Sequence, residues 1–403
     1  MDPVHPEPSL TGDPDQPSSS THSSRRMQVV NNGSLERKKK NYVSEKRSRP
    51  VGQSPSPEDG SRSEAQYRLG NMYAEGRGLK QDDTEAARWY VIAANLGHTE
   101  AQATLGQWYS LGRGVVQDDV EAANWFSKAA TQGNAVAQRH LGLMYEQGLG
   151  VEQSDVAAAQ WYTQAAEQDD CYAQLCIGWL FYHGRGVEQS DAEAAKWFTM
   201  AAVHGDTTAQ KHLGWMHVEG RGVEQSDVDA TEWFTRAAEQ EDADAQNILG
   251  WRYDLGQGVD QDDHSALLWY KKSAAHGNRH AEFNLALMYE LGIEVELDAN
   301  AALRLFEKAS KEEPNAHFHT QWLTTPEYIA WQNSSDTSDP VSLHRRGANQ
   351  GYAAAQHNLA RMYEKGRGVL RDTKEAILWY NKAATQGHTV AEERSKFLQK
   401  RHE

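Results

Sequence analysis

From Ala65 onward the chain repeats one pattern of apolar and polar positions. In the first copy Ala65, Leu69, Met72 and Tyr73 fall at i, i+4, i+7 and i+8, the spacing of a single stripe on an amphipathic helix. A turn, Gly76-Arg77-Gly78, follows, and then a second stripe of Ala86, Trp89, Tyr90, Ala93 and Ala94. The leading alanine returns at Ala101, Ala137, Ala173, Ala209, Ala245 and Ala281, each 36 residues after the last. A period of that size marks a repeat array, so the pattern predicts an all-α solenoid of helix pairs, each burying its apolar face against its neighbours.

Each recurring position has a physical role. A small residue inside the first helix (Gly70, Gly106, Gly142, Gly178, Gly214, Gly250, then Ala286 and Ala360) predicts close approach of the paired helix, because mid-helix glycine costs roughly 1 kcal/mol against alanine. The two turn glycines supply the positive φ that ends one helix and reverses the chain. The second helix opens at Asp82, Asp118, Ser154, Ser190, Ser226, Asp262, Asp298 and Asp372, all favoured N-cap residues. Glu85, Glu121, Glu193 and Glu375 stand three residues later and complete capping boxes. Trp89 and its equivalents Trp125, Trp161, Trp197, Trp233, Trp269 and Trp379 are expected in the core, facing paired alanines. The second helix stops at glycines such as Gly97 and Gly133, replaced by Asp169 and Glu241 in two units.

Regularity fails after Pro314. Ala281 to Ala355 is 74 residues, two periods plus 2, so one unit is present in length without its signature. The expected organisation is an arm over 1–62, seven units over 63–314, a degenerate unit or hinge over 315–352, a clean unit over 353–388, and a capping helix over 389–403. Within the degenerate unit, 315–333 reads as a first helix interrupted by Pro326, and 343–351 as the end of a second. The arm is rich in Pro, Ser, Asp and Gly and poor in large apolar side chains, a composition that predicts disorder. It carries a basic run of Arg25, Arg26, Arg37, Lys38, Lys39, Lys40, Lys46, Arg47 and Arg49, readable as a nuclear address or as a solvated tail.

Composition narrows the function. A net charge of -16 over 403 residues disfavours nucleic acid and anionic membranes as partners of the repeat body. Cys171 and Cys176 alone cannot build a disulfide framework, and no stretch has the apolar length of a membrane span or a secretory signal. The expected setting is cytoplasmic, or nuclear through the basic arm.

The succession Ala-Gln-x-x-Leu-Gly-x-x-Tyr, Gly-x-Gly-Val, Asp or Ser, Ala-x-x-Trp-Tyr or Trp-Phe, Ala-Ala, Gly resembles the Sel-one-like repeat, a relative of the tetratricopeptide repeat, over about residues 63–398. The resemblance implies a right-handed α/α superhelical solenoid that acts as a protein-binding adaptor. Related arrays line a concave groove with the first helix of each pair, and the residue after the small Gly or Ala points into it. Here that series is Asn71, Gln107, Leu143, Trp179, Trp215, Trp251, Leu287 and Arg361. Trp179, Trp215 and Trp251 would form an aromatic ladder, the kind of surface that supplies interface hot spots. Leu175, Lys211 and Asn247 lie one turn earlier, and Tyr182 and His183 lie later on the Cys176 helix. Polar residues elsewhere in the series argue that the position is exposed, since burying them would be costly.

Chemistry is poorly supported. Cysteine-rich relatives described as β-lactamase-like carry paired cysteines in every unit, whereas Cys171 and Cys176 occur once, five apart on one helix. A zinc site at His317 and His319 is a remote reading, and no catalytic, cofactor or metal set is assigned. The expected function is a non-enzymatic scaffold that binds protein or peptide segments, without membrane insertion. A regulator that positions a bound enzyme and a groove hydrolase are the alternatives.

Overall fold

The computed structural model describes residues 57–334 and 340–400, which form twenty α-helices and, among the described residues, no strand. Seven helix pairs come first: α1 (Pro57–Glu75) with α2 (Asp83–Asn95), α3 (Thr99–Leu111) with α4 (Asp119–Thr131), α5 (Ala135–Gln147) with α6 (Asp155–Ala166), α7 (Cys171–His183) with α8 (Asp191–Val203), α9 (Thr207–Glu219) with α10 (Asp227–Glu239), α11 (Ala243–Leu255) with α12 (Asp263–Ala275), and α13 (Arg279–Leu291) with α14 (Ala299–Ala309). The eighth unit is irregular, with α15 (Ala316–Leu323), α16 (Pro326–Gln332) and α17 (Pro340–Gln350). A ninth, α18 (Ala353–Lys365) with α19 (Thr373–Ala384), precedes α20 (Thr389–Lys400). In the regular units each second helix packs on its own partner and on the first helix that follows, giving an all-α solenoid.

The N-caps and turn glycines act as the sequence suggests, but the capping boxes expected at Glu85, Glu121, Glu193 and Glu375 do not close, because the backbone N–H groups of Asp82, Asp118, Ser190 and Asp372 donate to the carbonyls of Tyr73, Tyr109, Phe181 and Tyr363. Asp82, Asp118, Ser154, Ser190, Ser226, Asp262, Asp298 and Asp372 each accept a backbone N–H two or three residues on, satisfying donors that a helix start leaves open. The first turn glycine is left-handed, as at Gly112 with φ 68°. The second does more than reverse the chain. A Cβ on Gly114 would stand 2.2 Å from the Asp83 carbonyl oxygen, so this glycine lets the turn press on the preceding unit's second helix. The turn arginine then reaches back across the same junction: Arg113 to Asp83 at 3.0 Å, Arg185 to Asp155 at 2.9 Å and Arg221 to Asp191 at 2.9 Å.

Two further expectations are corrected. The sequence predicts a disordered arm over 1–62, yet residues 57–62 belong to α1. The rest of the arm, basic run included, lies outside the described residues. The other correction concerns the core ring. Trp125, Trp197 and Trp379 are buried as expected, but Trp89, Trp161, Trp233 and Trp269 are only half-buried, while the next residue in each unit (Tyr90, Phe126, Tyr162, Phe198, Phe234, Tyr270) is at most 2 % exposed. That second ring lies over the mid-helix glycine: a Cβ on Gly106 would meet the Phe126 ring at 2.6 Å and one on Gly214 the Phe234 ring at 2.8 Å. The half-buried tryptophans sit at the boundary, and buried and half-buried ones alike lie under a cation one turn on, as with Lys128 3.7 Å from the centroid of Trp125 and Arg236 4.4 Å from that of Trp233.

From α13 to α20 the core changes character. One continuous cluster runs from Phe283 to Leu398, with Trp322 and Tyr328 fully buried at its middle. Trp322 fills the place against Gly347 of α17, where a Cβ would lie 2.2 Å from its ring. Pro326 breaks the eighth unit's first helix and becomes the opening residue of α16, capped by Thr325.

Candidate functional site

First helices meet along one side of the array. Asn284 on α13 donates to Asn247 on α11 at 3.1 Å, and Lys211 on α9 reaches Asp242 at the start of α11 at 2.8 Å. The proposed ladder residues lie on this side with unequal access. Trp179 and Leu175 are each 6 % exposed and offer little surface. The Trp179 ring is taken up by its surroundings: edge-on to His212 at 4.2 Å and to Phe198 at 5.4 Å, and stacked on His183 at 5.3 Å. Trp215 and Trp251, with Lys211, Asn247 and Tyr182, are half-buried, and His183 is exposed. Tyr182 carries the Arg221 guanidinium 3.8 Å from its ring centroid.

The exposure argument for the whole series fails at its far end. Leu287 is 1 % and Arg361 8 % exposed. Burial of Arg361 is tolerated because Asp254 faces it at 3.1 Å, with Lys365 paired to the same carboxylate. Burial alone would raise the Asp254 carboxyl, yet the Lys365, Arg361 and Arg367 charges hold it well below the usual carboxylate range. Asp254 belongs to the sixth unit and its partners to the ninth. Arg367, the turn arginine of the ninth unit, also forms an ion pair with Asp263, which opens α12. In the units with a turn arginine, as at Arg113, Arg185 and Arg221, that arginine takes the aspartate of the preceding unit, but the seventh unit carries Ile293 there. A cavity of about 450 Å³ beside this contact is lined by Asp263, Glu294, Arg361 and Arg367 as well as Leu291 and Val341, more charged than a typical small-molecule pocket.

Eight segments match the family model of the Sel1 repeat: 63–98, 99–134, 135–170, 171–206, 207–242, 243–278, 279–313 and 353–388. The chain belongs to the Sel1 repeat family. This Sel1 protein is similar in structure to c5321, described as a protective antigen present in uropathogenic Escherichia coli strains displaying an SLR fold, with 34 % identity and a TM-score of 0.65 over 83 % of this chain and 71 % of that one. It is also similar to a Sel1 repeat protein from Oxalobacter formigenes, with 33 % identity and a TM-score of 0.51 over 60 % of this chain and 96 % of that one. No curated protein matches it. Sel1 repeat proteins generally mediate protein–protein interaction and are typically non-catalytic scaffolds.

Chemistry on the Sel1 repeats is constrained by burial. Burial pushes the Cys171 thiol up to about 11 and raises the Cys176 thiol further, so neither offers a thiolate nucleophile near neutral pH. No helix among the described residues is long and apolar enough to cross a membrane. Sequence reasoning missed one constellation. His317 is exposed, but His319 is fully buried and meets His357 and His388 from the ninth unit and its end. The available signal was departure from the repeat: His357 stands where other units hold Tyr67, Leu175 or Phe283.

Proposed function

We propose that this chain is a non-enzymatic scaffold holding a segment of a partner protein along the inner side of its fifth and sixth units. The observation that carries the reading is the pair Trp215 and Trp251, at the same register of adjacent first helices and half-buried. Amphipathic rings on a rigid helical surface are the usual anchors of an interface. Lys211 and Asn247 one turn earlier, and Tyr182 and His183 at the end of α7, supply a polar margin, while Trp179 and Leu175 form the floor.

The test is affinity capture with mass spectrometry, comparing the intact chain, a Trp215→Ala, Trp251→Ala double variant, and a Val120→Ser, Val156→Ser control at exposed second-helix positions. The reading expects proteins captured by the intact chain and the control to be lost by the double variant, with circular dichroism unchanged. Equal capture by all three would place the partner surface elsewhere.

A further inference from the structure

We propose that His319, His357 and His388 form a binding site for a divalent transition-metal cation of the zinc type, built where the irregular eighth unit meets the ninth. One ring nitrogen from each histidine lies within 4.8 Å of the other two, and all three side chains are buried. They come from three elements: α15, α18 and the residue that opens α20. Imidazole nitrogens suit zinc, cobalt, nickel or copper rather than calcium or magnesium.

Three features fit a cation. First, Nε2 of His319 and Nε2 of His388 are 3.4 Å apart, about the separation of two nitrogens bonded at ~2.0–2.1 Å to a tetrahedral centre. Second, Nδ1 of His319 shares a hydrogen bond with the Glu290 carboxyl group at 2.8 Å, and Asn358 donates to the other Glu290 oxygen at 2.7 Å. A carboxylate behind a histidine fixes its proton on the far nitrogen and turns the other lone pair toward the metal. Third, Nδ1 of His357 is buried with no hydrogen-bond partner among the described residues, an expensive state for a polar atom that nothing satisfies.

Hydrogen bonding alone accounts for part of the cluster. Nδ1 of His388 accepts the Ala391 backbone N–H at 3.3 Å as the cap of α20, so without a cation its proton sits on Nε2 and points at His319. To ligate through Nε2, His388 moves that proton to Nδ1 and gives up the cap, with no net proton released. Arg361, the nearby positive group, is engaged by Asp254.

The position of His388 allows a clean test, because Asn134 and Asn278 cap the corresponding helices of other units through their side chains. His388→Asn therefore keeps a cap and removes a ligand. The full chain, unfolded and refolded with chelator, with Zn²⁺ or with Co²⁺, is freed of excess metal and analysed for bound metal, visible cobalt ligand-field bands and thermal midpoint. The site predicts about one cation per chain, cobalt bands and a raised midpoint. His388→Asn loses the bands, and Glu290→Gln weakens binding about 10–100-fold. A wild-type chain that refolds without taking up either metal overturns the proposal, as does a His388→Asn chain with the wild-type cobalt spectrum. Should His388→Asn fail to regain its helical circular dichroism, His357→Gln is judged by the same two outcomes.

Discussion

Among the described residues of the first five units, ion pairs that link one unit to another span about one repeat, as Arg185 to Asp155 and Arg221 to Asp191 do, and the apolar cores are separate clusters confined to neighbouring units. Beyond residue 279 the same helix pairs share one cluster, side chains meet across 68 residues at Asn358 and Glu290, and Arg361 reaches back 107 residues to Asp254 of the sixth unit. The first region is a stack whose stability is a sum of nearest-neighbour interfaces, and the second behaves as a globular domain whose parts depend on one another. The change needs few substitutions. Losing the turn arginine at Ile293 leaves Asp263 for Arg367, and the irregular eighth unit lets the ninth fold back onto the sixth.

The sharpest break of this contrast is Trp322→Ala, expected to cost about 3–5 kcal/mol by emptying the centre of the shared cluster. Hydrogen exchange should then quicken from α13 to α20 together while α3 to α8 keep their protection. Asp254→Ala is expected to cost about 3 kcal/mol or more by leaving Arg361 and Lys365 buried without their counter-charge. The same carboxylate gives a pH signature. Its folded pKa lies below its unfolded value, so its contribution is complete above the unfolded value of about 3.9 and is lost as pH falls below that. Acid titration followed by tryptophan fluorescence should loosen the C-terminal region first in the wild type, and Asp254→Asn should remove most of that dependence.

Smaller effects sharpen the comparison. Gly214→Ala drives a methyl into the Phe234 ring and should cost about 1–3 kcal/mol, with faster exchange only in the fifth unit and its neighbours; protection lost across all units would refute the nearest-neighbour description. Gly347→Ala, against Trp322, should cost more than Gly214→Ala and spread through the C-terminal region. Ser226→Ala removes one cap and should cost about 1 kcal/mol, read at the start of α10. At the quiet end, Cys171 and Cys176 should react slowly with iodoacetamide at neutral pH and fast in denaturant.

Much of this was legible in the sequence. The period, turn glycines and caps are local signals, and local chemistry is sufficient to set helix ends at Asp82 or Gly112. The choice between Trp89 and Tyr90 was not settled by pattern, because adjacent large rings lie about 100° apart on a helix and only the glycine opposite selects which one enters. Contacts such as Arg361 with Asp254 were illegible for a deeper reason. A periodic sequence encodes what touches one period away, and nothing in the period tells the ninth unit to seek the sixth. The groove reading suffered likewise at Trp179, whose neighbours His183 and His212 bury it through residues peculiar to these units.

The tie between Asp254 and Arg361 also bears on how such a chain can lengthen. A duplicated block of 36 residues inserted before residue 243 adds one more interface of a kind already present, and the fold extends without renegotiation. The same block inserted between residues 279 and 353 separates the carboxylate from its cations by another unit and strands charge in the core. The array therefore has one end at which evolution or an engineer can vary its reach, and one where the unit count is locked.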